Sequence, residues 1–164
     1  MKTTIIIYGS TLGNTASAAS AIAGKIHANI KDVNEATAED LVEHENLILG
    51  SSTWGDGELQ DDWYSFIDTL KNADLSGKTI ALFGVGDQYN YSGTYANAMG
   101  ELYNIIKGKA AKIIGFTSTE GYEFSNSEAV IDGQFVGLAL DYDNQSDLSD
   151  TRIDRWISQI SPEL

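Results

Sequence analysis

The chain contains no cysteine, which removes disulfide frameworks, thiolate metal sites, cysteine-ligated clusters and cysteine nucleophiles. Positive charge is scarce: ten Lys and Arg stand against 24 Asp and Glu, a net charge of −14 over 164 residues. No Lys or Arg lies between Lys31 and Lys71, a span that holds Asp32, Glu35, Glu39, Asp40, Glu43, Glu45, Asp56, Glu58, Asp61, Asp62 and Asp68. A second base-free span runs between Lys112 and Arg152. A nucleic-acid binder clusters its bases, so that class is excluded. The two histidines, His27 and His44, fall in or beside predicted helices and read as surface residues without a catalytic role. Long apolar runs are missing: nothing approaches the ~18 residues of a membrane span, and the run after Lys2 is too short for a signal peptide. The expectation is a soluble, cytoplasmic protein with no membrane association. Its acidity serves either solubility or the steering of basic partners.

What is present is ordinary globular material, 42% hydrophobic. The length predicts one domain over residues 1–164, large enough for a core without staples. Apolar, β-branched runs predict strands at Thr4–Tyr8, Ile30–Val33, Asn46–Gly50, Thr79–Val85 and Ala111–Phe116, with Val136–Leu140 a short strand or continuation. Helical spacing predicts helices over Thr15–Ala28, Thr37 to about His44, Asp61–Leu70 and Tyr95–Lys107, and a last helix capped by Ser149. Strand and helix alternate five times, and the strands are apolar throughout rather than alternating. That pattern predicts an α/β fold: a doubly wound five-stranded parallel sheet with helices on both faces. The Gly-rich or polar loops Gly9–Thr15, Ser51–Leu59 and Gly84–Gly93 all follow strands, and in such a sheet they converge on one site.

The first loop, Tyr-Gly-Ser-Thr-Leu-Gly-Asn-Thr, offers hydroxyls at Ser10, Thr11 and Thr15 and opens a helix, a natural place for an anion. It lacks the spacing and the lysine of a Walker loop and the three glycines of a dinucleotide fingerprint. A plain strand–helix turn remains an alternative for this loop alone. The second loop carries Trp54 between Thr53 and Gly55, and the third carries Tyr89 and Tyr91 in an equally polar setting. Two aromatics from neighbouring loops could bracket a flat ring by stacking. Trp63, spaced with Phe66 and Ile67 on one helical face, reads as core.

Together, Tyr-Gly-Ser-Thr-Leu-Gly-Asn-Thr, Ser-Ser-Thr-Trp-Gly-Asp-Gly-Glu-Leu-Gln-Asp-Asp-Trp, Phe-Gly-Val-Gly-Asp-Gln-Tyr-Asn-Tyr, Thr-Glu-Gly-Tyr-Glu-Phe and Phe-Val-Gly-Leu-Ala-Leu-Asp-Tyr-Asp-Asn-Gln-Ser-Asp resemble the motifs of the long-chain flavodoxins, in order and over the whole chain. The resemblance implies strand order 2-1-3-4-5, for which flavodoxins are the type case. It also implies that residues 117–135 are the insertion that splits the last strand. It implies noncovalently bound FMN and a low-potential one-electron carrier shuttling between semiquinone and hydroquinone. Ser10, Thr11, Leu12, Gly13, Asn14 and Thr15 would form the phosphate loop, with Leu12 standing where relatives carry a second hydroxyl. Ser52, Thr53, Trp54, Gly55, Asp56 and Gly57 would wall the flavin, with Trp54 on its inner face. Val85, Gly86 and Asp87 would meet its pyrimidine edge, Tyr91 its outer face, and Asp143 the pocket rim.

Partners implied are basic-rimmed redox proteins such as ferredoxin/flavodoxin-NADP reductase or 2-oxoacid oxidoreductases, met by a monomer. Rival expectations are an FMN-dependent, quinone reductase-like enzyme with its own substrate, a phospho-acceptor domain, and a structural domain without ligand. The phospho-acceptor reading fails because the first strand ends in Gly9-Ser10 and the third in Gly50-Ser51-Ser52, where that chemistry needs carboxylates.

Overall fold

Residues 3–164 are described by a computed structural model. The first strand, β1 (Thr4–Gly9), shows how the sequence makes the core. Ile5 and Ile7 turn to one face and Ile6 to the other, and all three are fully buried. The same alternation runs through β3 (Asn46–Trp54) and β5 (Thr79–Val85), where Leu47, Leu49, Ile80 and Leu82 share a face with Ile5, and Ile48, Ala81 and Phe83 share the other. A strand buried on both faces has no polar side to present, which is why these segments read as unbroken apolar runs. Each fully buried Ile or Leu contributes roughly 1.5–3 kcal/mol over its exposed state.

The strands pair in parallel, in the order β2 (Asn29–Asp32), β1, β3, β5 and then a fifth position made of two pieces. There β6 (Lys112–Ile114) pairs with Thr79–Ala81 and β10 (Leu138–Leu140) with Phe83–Val85. The expected five-stranded doubly wound sheet with a split last strand is therefore present. Between the pieces lies a small antiparallel sheet of β7 (Thr117–Ser118), β9 (Gln134–Phe135) and β8 (Val130–Ile131). Phe135 anchors it, buried among Tyr95, Tyr122 and Phe124.

Helices α1 (Asn14–Ala23) and α5 (Ser146–Ile160) supply Ile22, Ile153 and Trp156 to one face of the sheet. On the other face α2 (Ala38–Glu43), α3 (Ile67–Asn72) and α4 (Asn97–Ile106) supply Leu41, Leu70 and Leu102.

Several boundaries differ from expectation. The first helix stops at Ala23 because Gly24 caps it, not at Ala28. Asp61–Leu70 is broken into a 3₁₀ turn (Asp61–Ser65) and α3, although Trp63, Phe66 and Leu70 are buried as its spacing implied. The expected loop Ser51–Leu59 is mostly strand: β3 runs on to Trp54 and pairs antiparallel with β4 (Glu58–Leu59). The last helix begins at Ser146, so Ser149 is not its cap but a buried residue inside it. His44 is buried too, with its ring between Asn29 Nδ2 and the Asp40 carbonyl; it ties β2 to α2 and is not a surface residue. Among the described residues no helix is long and apolar enough to cross a membrane.

Candidate functional site

Three loops leave the carboxyl ends of β1, β3 and β5 side by side, at the point where strand order reverses, and a cavity of about 170 Å³ lies between them. The first loop is shaped by Gly13, at φ +100°, and its N–H donates to Ser10 Oγ at 3.2 Å. It delivers the chain into α1 with no side chain capping the helix. The first-turn N–H groups therefore have neither an intrahelical partner nor a cap. Ser10, Thr11, Leu12, Asn14 and Thr15 line the cavity at this end. Thr15 is 1% exposed, and its hydroxyl has no hydrogen-bond partner. A buried hydroxyl left unpaired costs about 1–3 kcal/mol, so this one is built to meet an acceptor. Thr11 Oγ1 accepts from Gln60 Nε2 at 3.1 Å, which steadies the loop from the β4 side.

The second loop is the hairpin tip between β3 and β4, closed by Gly57 N–H to Trp54 O at 3.1 Å. It needs φ of +52° at Gly55 and +95° at Gly57, conformations glycine adopts without strain. A Cβ on Gly57 would also stand 2.6 Å from Asn97 Nδ2. Thr53 Oγ1 accepts from Ala98 N–H at 3.1 Å, pinning the hairpin to α4. Ser52, Thr53, Trp54 and Gly55 line the cavity. Trp54 is 37% exposed, with its indole N–H on Ser52 Oγ at 2.7 Å.

In the third loop Val85, Gly86, Asp87 and Tyr91 line the cavity, with Asp143 from the loop after β10. The Asp87 carboxylate accepts from Tyr89 N–H, Asn90 N–H and the side chains of Asn90 and Asn144, at 2.8–3.1 Å. Burial pushes its pKa up, but these donors outweigh burial and hold it below the ordinary value. Asp87 is thus spent on bracing the turn that presents Tyr91. Asp143 is raised, first by burial and then by the charges of Asp87 and Asp141.

Of the expected residues, Gly13, Asp56 and Gly57 do not line the cavity; Gly13 and Gly57 shape its first two loops through their positive φ. Thr94, Tyr95 and Ala96 line it without having been anticipated. They lie before α4, not within it, and Ala96 sits at φ +56°. No Lys, Arg or His is among the lining residues. The chemistry is that of a neutral anion cradle at one end and two aromatic side chains, Trp54 and Tyr91, at the other.

Sheet and loops together define a doubly wound α/β protein with its cavity at the carboxyl edge of the sheet. The chain belongs to the flavodoxin family: the family model described as Flavodoxin matches residues 6–156. It is 42% identical to the Flavodoxin of Synechocystis sp. over 163 residues, covering 97% of this chain and 96% of that one. It is 42% identical to Flavodoxin 1 of Escherichia coli over 168 residues, covering 100% and 96%. The crystal structure of Fusobacterium nucleatum flavodoxin bound to flavin mononucleotide superposes with a TM-score of 0.95 at 32% identity, covering 100% of this chain and 99% of that one. Family membership makes the protein a one-electron redox carrier that exchanges electrons with redox partners, and not an enzyme with its own substrate.

Proposed function

We propose that the cavity binds FMN noncovalently and that the protein is a low-potential carrier, a single cytoplasmic domain acting as a monomer. The observation that carries this reading is the unpartnered, buried Thr15 hydroxyl at an uncapped helix N-terminus. That arrangement suits a phosphate held by neutral donors, with Ser10, Thr11, Leu12, Gly13, Asn14 and Thr15 forming the cradle. FMN bound there would supply a ring able to take one electron at a time.

The remaining steps belong to the protein. Trp54 and Tyr91 cover the ring faces and exclude water. Ser52, Thr53 and the backbone of Val85, Gly86 and Asp87 orient the ring edge. The Gly55–Asp56 peptide, at the hairpin tip, offers its carbonyl as hydrogen-bond acceptor, while Gly57 lets that tip turn. Asp87 and Asp143, with no cation lining the cavity, oppose each added negative charge. For a one-electron couple, ~1.4 kcal/mol of such opposition lowers the potential by ~59 mV. The acidic surface would draw basic-rimmed partners, ferredoxin/flavodoxin-NADP reductase or 2-oxoacid oxidoreductases, with rates that fall as salt rises.

The test is a titration of the cofactor-free protein with FMN, followed by flavin absorbance and fluorescence. Stoichiometric binding with quenched fluorescence is expected. No binding, or oxidation of NADPH by the flavin-loaded protein alone, overturns the reading.

A further inference from the structure

The chain has two arginines, Arg152 and Arg155, and both lie on α5 beside a second cavity of about 500 Å³. This hollow shares no lining residue with the first. It opens where the fifth strand is interrupted, between α5 and the root of the inserted sheet. Phe116, Tyr122, Leu138 and Trp156 give it an apolar floor.

Its polar side chains are mostly committed to the protein itself. Thr117 Oγ1 donates to Gly137 O, Gln159 Nε2 donates to Phe116 O, and Ser118 Oγ accepts from Glu120 N–H. Among the described residues Arg155 makes no such bond, and Arg152 makes one through a single nitrogen. The three ion pairs among the described residues all use lysine, although the chain carries 24 acidic residues. Arg152 lies with its guanidinium carbon 3.9 Å from the Tyr122 ring centroid, a cation–π contact that holds the group against the apolar floor of the hollow. One nitrogen, Nη2, donates to Gly121 O at 3.3 Å; the other, Nη1, is buried and has no partner. A guanidinium nitrogen left unpaired away from water is costly, and a carboxylate is the acceptor whose two oxygens match it.

We propose that this hollow is a binding site for a small organic carboxylate with an aromatic-sized apolar body. The carboxylate sits on Arg152 and Arg155, and the body covers Phe116, Tyr122, Leu138 and Trp156. Glu120, exposed on the rim, repels a second negative charge. The site therefore prefers a monoanion to phosphate.

The experiment is a titration of the isotope-labelled protein, with its native cofactor content, by phenylacetate, with phenylacetamide and inorganic phosphate as comparisons. Nuclear magnetic resonance shifts at Tyr122 and at the Trp156 indole are the readout. Saturable shifts confined to this hollow are expected, with Trp54 unmoved. Binding should weaken about tenfold or more for phenylacetamide and in Arg155→Gln, whose side chain is exposed, because a charge-assisted hydrogen bond is lost. Arg152→Lys keeps the charge but not the fork, and should weaken binding with the indole signal of the folded protein preserved. Absence of saturable shifts, equal binding of phenylacetamide, indifference to Arg155→Gln, or phosphate binding as tight as phenylacetate would each overturn the proposal.

Discussion

Two helix N-termini in this chain are finished in opposite ways. At α2, Thr37 and Asp40 form a closed capping box: Asp40 N–H donates to Thr37 Oγ1 at 3.4 Å, and Thr37 N–H donates to Asp40 Oδ2 at 2.8 Å. Lys31 adds its ammonium to both Asp40 oxygens at 2.9 and 3.1 Å. At α1 there is no side-chain cap and no acidic residue in the first turn, and the buried Thr15 hydroxyl is unpaired. Both helices flank the same sheet and carry similar orphan N–H groups. The first end is completed from within, and the second keeps its donors free at the mouth of the β1 loop. Local stability and the proposed ligand binding are thus separated between two copies of one structural problem.

Thr15→Val is the sharpest way to break that contrast, because valine keeps the shape and deletes the donor. FMN affinity should fall by about 1.5–3 kcal/mol, tenfold or more, as expected for a hydrogen bond to a charged group. The cofactor-free protein should melt at the same temperature or higher, since an unsatisfied buried hydroxyl has been removed. A drop in cofactor-free stability with unchanged affinity would show that Thr15 serves the fold.

Asp40→Asn should do the reverse. Burial raises the Asp40 carboxyl, but the hydrogen bonds from Lys31 and Thr37 prevail and set its pKa below the ordinary 3.8. A depressed folded-state pKa stabilises the protein above the unfolded-state value and loses that stabilisation as pH falls through the folded one. Denaturant unfolding should therefore show about 1 kcal/mol lost at neutral pH in Asp40→Asn, a difference that shrinks as pH falls through the depressed folded-state value. FMN affinity should not change.

The sequence made the α2 end plain, because Thr37 and Asp40 stand at capping-box spacing. It made the three central strands plain as well, because burial on both faces forces continuous apolar runs. Other features depend on contacts that only the assembled chain makes. The start of α5 is set by the fully buried Asp141, which accepts from Asp143 N–H and Asn144 N–H at 3.1 and 3.0 Å, while its carbonyl accepts from Gln145 N–H at 2.9 Å. Ser149 has the chemistry of a cap but lies one turn too late. The hairpin at Trp54 was hidden because Gly55-Asp56-Gly57 reads as loop whether or not strands flank it. Thr94–Ala96 carry no such signal, because nothing in an alanine announces φ of +56°. The cavity's first and second loops were legible through their residue types, whereas this part of the third was visible only as geometry.

The smallest expected effect is at Leu12, where the chain departs from the hydroxyl that its relatives' pattern implies. Leu12 is 79% exposed on the rim of the cavity, so its apolar side chain gains little from the fold. Leu12→Thr would bring one more hydroxyl to a loop that already offers Ser10, Thr11, Thr15 and first-turn N–H groups. An exposed hydroxyl replaces bound water rather than filling a vacant buried position, so the net gain should be about 0.5–1 kcal/mol, several-fold in FMN affinity at most. Thermal stability without FMN should move by less than about 0.5 kcal/mol, as surface substitutions do. A gain as large as the loss in Thr15→Val would mean that the cradle is limited by the number of its donors. A gain of only several-fold, beside a large loss at Thr15, locates the strength of the α1 end in burial: one hydroxyl that has no alternative to the ligand outweighs one that always has water.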